Sequence, residues 1–67
     1  MNERELRAAI ALSGKKMQQV AAEIGIHRGT FYKKMTGRTN FTQKEIAALS
    51  KCLGLNSDQV MNIFFAA

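Results

Sequence analysis

Between His27 and Arg38 the chain reads HRGTFYKKMTGR, and this stretch concentrates the side chains able to do chemistry. Arg28, Lys33, Lys34 and Arg38 are cations, Tyr32 adds an aromatic hydroxyl, and no acid lies among them. The acid-free window is wider still. From Ile24 to Lys44 there are five basic residues and no Asp or Glu. Guanidinium and ammonium groups in such a window suit a polyanion, whose phosphates they neutralise.

Catalysis has little to work with. His27 is the single histidine and Cys52 the single cysteine, and Ser13, Ser50 and Ser57 have no base that would make one a nucleophile. A glycine-rich phosphate loop and a paired-carboxylate signature are both missing from the sequence. His27 reads as a helix cap or a phosphate-facing group, since no second metal ligand accompanies it. The expectation is a protein that is not an enzyme and uses no metal and no cofactor.

Composition narrows the partner. Ten Lys and Arg against five Asp and Glu give +5 at pH 7 and a pI near 9.9. On a chain of 67 residues, enough for one domain, that surplus favours nucleic acid or an anionic membrane surface. No apolar run approaches the ~20 residues that would span a bilayer. The opening MNERELR is too charged for a signal peptide, and a lone cysteine forms no internal disulfide. These features predict a cytoplasmic protein.

The elements that must position these side chains are helices. Apolar residues recur at helical spacing, no stretch alternates as a strand would, and the spacing predicts an all-α fold of five helices. The first runs over about Glu3–Ser13, capped by Asn2 with Glu5 completing a capping box, and Leu6, Ala9, Ile10 and Ser13 share a face. The second covers about Met17–Ile24 with Val20, Ala21 and Ile24 inward, and Gly25 ends it. The third covers about Arg28–Met35, with Phe31 and Met35 on its buried side. A polar loop follows over Thr36–Phe41. Thr42 then caps a fourth helix whose stripe is Ile46, Leu49 and Leu53. Asn56 or Ser57 opens the last, which reads VMNIFFAA to Ala67.

The spacing around Gly25 is the most informative local feature. Two short helices joined by so tight a turn must cross steeply, which asks for a small residue at the crossing (Ala21). It also asks for a residue tolerant of positive φ in the turn (Gly25). Ile26 and Phe31 then fill the wedge. This is a helix-turn-helix arrangement, in which the second helix projects from the body.

The stretch VAAEIGIHRGTFYKKMTGR resembles the helix-turn-helix of small phage-type Cro and CI repressors, within the wider Xre-like class. The likeness is strongest over residues 17 to 38 and extends more loosely through FTQKEIAALSKCLGL and the terminal IFF. It implies a lambda-repressor-like domain over residues 1–67, with the motif at about 17–35. Such a domain binds double-stranded operator DNA as a homodimer and regulates transcription. Met17 stands where the family commonly has Gln, and His27 where it commonly has Ser.

Carried over position by position, the resemblance implies base reading by Arg28, Gly29, Thr30, Tyr32 and Lys33. Arg28 suits the bidentate contact to guanine, and Thr30 suits a thymine methyl or a phosphate. Phosphate contacts are expected from Gln18, His27, Lys34, Arg38, Thr39, Asn40, Thr42 and Gln43, which set register without reading sequence. On the last helix Val60 and Phe64 form one apolar stripe, and Met61 and Phe65 a second, with Ile63 between. The first stripe closes the core. Met61 and Phe65 are expected at a dimer interface, because small monomers seldom leave such groups in water.

No membrane partner and no small-molecule ligand is expected. The competing expectations are a protein-binding module, such as an antirepressor or an antitoxin-like domain on the same fold, and sequence-neutral nucleic-acid binding.

Overall fold

In a chain with no proline, glycine punctuates the helices. The computed structural model describes residues 1–65. It contains α1 (Glu3–Leu12), α2 (Met17–Glu23), α3 (Arg28–Met35), α4 (Gln43–Leu53) and α5 (Ser57–Val60), the last continuing as a π-helical segment over Met61–Phe65. No strand occurs among the described residues, so the fold is an all-α bundle. Ala66 and Ala67, expected at the end of the last helix, lie outside them. No helix among the described residues is long and apolar enough to cross a membrane.

The core is small. Leu6 and Ile10 of α1, Val20 and Ala21 of α2, Phe31 and Met35 of α3, Leu49 of α4 and Ile63 of the last helix are all buried. Each helix thus contributes one or two residues, and the amphipathic stripes read from the sequence supply nearly all of them. Ile63 is the exception. Expected between two stripes, it follows Val60 by three residues and so shares that side of the helix, and within the π-helical segment it is 3% exposed. Val60 and Phe64 lie half-buried beside it.

Phe41 departs further from expectation. The segment Thr36–Phe41 is polar up to its last residue, but Phe41 turns inward and bridges two helices. Its ring packs edge-to-face against Phe31 at 5.7 Å between centroids and against Phe64 at 5.8 Å. Edge-to-face contact sets the positive ring rim against the negative face, and ties α3 to the C-terminal helix.

The caps follow the sequence closely. The Thr42 hydroxyl accepts from the Glu45 amide, and the Glu45 carboxylate accepts from the Thr42 amide, closing a full capping box. Asn56 and Gln59 form a second one at α5. At α1 only half of the expected box forms. Asn2 Oδ1 accepts from the Glu5 amide, but the Asn2 amide donates to the Ile63 carbonyl at 2.6 Å. The residue ahead of α1 is thereby bonded to the last helix.

The α2–α3 turn closes as the tight crossing requires. Gly25, at φ +80°, donates to Ala22, and Ile26 donates back to Ala21. These paired bonds stop α2 in a Schellman motif and launch α3 a few residues later. A Cβ added at Gly25 meets nothing within 4 Å, so only the backbone conformation excludes other residues there. Gly25→Ala is therefore expected to lower stability by about 1–2 kcal/mol, the cost of a left-handed L-residue. Urea unfolding measures it; an unchanged midpoint would show that the turn tolerates negative φ.

Candidate nucleic-acid interface

Burial of Phe31 and Met35 decides which way the rest of α3 looks. Along the helix, Arg28, Gly29, Tyr32 and Lys33 follow one another on the outer side, and all four are exposed. The end of α3 then extends this surface. Gly37, at φ +87°, donates to Lys34, and Arg38 donates back to the Lys33 carbonyl at 3.0 Å. That return bond folds Arg38 beside Lys33.

An open concavity of about 460 Å³ results between the start of α2 and the outer face of α3. It is lined by Met17, Gln18, Arg28, Gly29, Phe31, Tyr32, Lys33 and Arg38. Four of the five expected base-reading residues meet here, together with Gln18 and Arg38 from the expected phosphate set. Arg28, Lys33 and Arg38 form no ion pair among the described residues, and no acid lines the concavity. Their charge faces outward uncompensated. The lining is nonetheless mostly apolar, with Met17 half-buried in it, a combination that would accommodate a ligand with a charged backbone and a less polar edge.

The remaining expected contacts separate from this surface. Thr30 is exposed but does not line the concavity. Lys34, expected at phosphate, is instead committed within the protein. Its ammonium donates to Glu45 Oε1 at 2.6 Å, in an ion pair with side chains 13% and 16% exposed. Helical geometry explains it, because Lys34 lies on the side of α3 turned toward the α4 capping box. Thr42 likewise spends its hydroxyl oxygen on capping α4, and Gln43 is exposed in the first turn of that helix. Thr39 and Asn40 line a different concavity, with Phe41, Phe64 and Phe65.

His27 and Gly29 form a pair. His27 precedes α3 with extended backbone, and its Nδ1 accepts from the Gly29 amide at 3.1 Å. The imidazole does what the hydroxyl of Ser or Thr does at other helix starts. A Cβ at residue 29 would lie 3.2 Å from that nitrogen. Gly29 therefore makes room for the cap, which accounts for a helix-weakening residue in the first turn of α3.

Sequence reasoning missed one participant. Arg7 of α1 places its guanidinium 5.8 Å from the centre of the Tyr32 ring, within cation–π range. Glu3, one helical turn earlier, holds it there through an Arg7 Nε to Glu3 Oε2 bond of 2.8 Å. Glu3 first, and the neighbouring Tyr32 second, raise the arginine above its already high ordinary pKa. The i,i+4 spacing of Glu3 and Arg7 is visible in the sequence, but nothing local signals the contact with α3.

A third ion pair braces the other side of the bundle. Lys15 Nζ donates to Glu23 Oε1 at 2.9 Å and to the Cys52 carbonyl at 3.1 Å, joining α2 to the end of α4. Among the described residues no cluster of His, Cys, Asp and Glu suited to a metal ion comes together. Comparison of the chain with protein-family models, curated proteins and solved structures finds no match.

The Lys34–Glu45 pair carries a pH signature. Lys34 first, and the Thr42 amide second, hold the Glu45 carboxyl below its ordinary 4.5. A depressed carboxyl pKa adds stability that is present above the unfolded value and lost as pH falls through the folded value. Stability should therefore decline as pH drops below 4.5. In Glu45→Gln this decline should shrink to the part supplied by Glu23, which Lys15 also holds low. Urea unfolding monitored by circular dichroism from neutral to acid pH tests this. Parallel acid limbs in the two proteins would count against the pair.

Proposed function

We propose that this chain is a sequence-specific DNA-binding protein of the Cro or CI repressor kind, which inserts α3 into the major groove. The observation that carries the reading is the outer face of α3. Arg28, Tyr32, Lys33 and Arg38 share one acid-free concavity with Gln18, while Phe31 on the same helix is buried in the core. A helix so anchored presents its side chains to a groove as a rigid edge. The likeness of residues 17 to 38 to the repressor helix-turn-helix supports the same reading.

In this reading the labour is divided by position along the surface. Arg28, in the first turn of α3, is placed to make the bidentate contact to guanine O6 and N7. Lys33 and Arg38 lie farther along the rim, where they neutralise phosphates and set register. Gln18, in the first turn of α2, approaches a backbone strand. Lys34 has no part in this interface, since Glu45 already satisfies it.

Met61 and Phe65 are 57% and 58% exposed. In this reading they form the contact between two copies, which would place two α3 helices in successive major grooves about 34 Å apart. Occupying a promoter then regulates transcription without catalysis, and the protein works in the cytoplasm. The same exposed pair also favours a second reading, in which the fold captures another protein.

Selection of duplexes from a random library at physiological salt separates these readings. Recovery of a palindrome, with affinity that falls steeply as salt rises, supports the dimeric regulator. Arg28→Ala is expected to cost about 1–3 kcal/mol on the selected duplex and to relax preference at one base pair. Lys33→Ala and Arg38→Ala should weaken all duplexes alike. No enrichment, with partner capture lost in Phe65→Ala but intact in Arg28→Ala, would favour the protein-binding module.

A further inference from the structure

The concavity on the reading face has an apolar surface that phosphate binding does not explain. Arg28, Lys33 and Arg38 line it, yet the lining as a whole is mostly apolar, with half-buried Met17 and exposed Tyr32 among its residues. Gly29 contributes no side chain to the lining. Tyr32 is steadied by Arg7, which is itself held by Glu3, so this part of the lining keeps its position. Met17 is half-buried, packed against the core and part of the lining. Methionine at residue 17 gives the concavity an apolar surface.

In the major groove only one natural base edge is apolar, the C5-methyl of thymine. We propose that the Met17–Tyr32 concavity is a thymine-methyl site, with Arg28, Lys33 and Arg38 holding the flanking strand over it. The proposal rests on the DNA-binding reading above and assigns the base class that reading leaves open. Charge complementarity selects the occupant. Three cations that form no ion pair among the described residues share a mostly apolar concavity, and no acid lines it. A methyl group attached to a polyanionic strand satisfies both features at once. The site also separates two roles within α3. Arg28 reads a hydrogen-bonding base, and the Met17–Tyr32 surface reads a neighbouring apolar one.

Replacing thymine by uracil removes the methyl and leaves base pairing intact. The experiment takes the duplex recovered by selection and substitutes uracil for each thymine in turn, measuring affinity at fixed salt. One position in each half-site should weaken about three- to fivefold, the effect of burying a single methyl group. In Met17→Gln that same substitution should have no effect, while Arg28→Ala should keep the full thymine preference. Tyr32 is the only tyrosine in a chain without tryptophan, so its fluorescence reports directly whether each variant keeps this part of the lining in place.

Equal affinity for thymine and uracil at every position, with binding still dependent on Arg28, would overturn the methyl site and leave the DNA-binding reading standing. Failure to recover any duplex overturns both. A uracil effect that persists unchanged in a folded Met17→Gln protein also overturns the site, because the methyl would then be read elsewhere.

Discussion

Everything on the outer face of α3 depends on the burial of Phe31. Its ring has no exposed surface and packs edge-to-face with Phe41, which in turn packs on Phe64. Burying an aromatic side chain of this size is worth a few kcal/mol, more than any polar contact on so short a helix. An eight-residue helix has little stability of its own, so its rotation about its axis is set by what it buries. With Phe31 and Met35 inward, Tyr32 and Lys33 have only the solvent side available.

The same rotation distributes the cations. Arg28 and Lys33 fall on the open side, whereas Lys34 falls toward α4 and meets Glu45. Adjacent lysines of one type thus have different surroundings because helical neighbours point about 100° apart. A mostly buried ammonium without a counter-charge would be costly, and the capping carboxylate already stands there for another reason. Glu45 consequently serves two structures at once, the start of α4 and the flank of α3.

The two chain ends are coupled to this arrangement. The Asn2 amide meets the Ile63 carbonyl, and from the same turn of α1 Glu3 orients Arg7 over Tyr32. The C-terminal helix that exposes Met61 and Phe65 is therefore only a few contacts from the proposed reading face. Phe65 itself borders the concavity that holds Thr39 and Asn40. Under the proposed function, the surface that joins two copies and the loop after α3 are neighbours in one small body.

The local signals in the sequence carried the helices far. Thr42 with Glu45, the glycine after α2 and the apolar stripes of α1 and α4 act over three or four residues, and their free energies hardly depend on the rest of the chain. The range of α3, Arg28–Met35, and the inward turn of Phe31 were legible for that reason. What the sequence left open lies between residues distant in the chain. Phe41 at the end of a polar loop, Lys34 facing Glu45, Arg7 over Tyr32 and the Asn2–Ile63 bond that replaced half of a capping box each need two elements to be docked first. Ile63, three residues after Val60, lies in the core, in a last helix that closes with π-helical turns. Periodicity fixes which face of a helix is apolar; only packing decides which polar neighbours that face brings together.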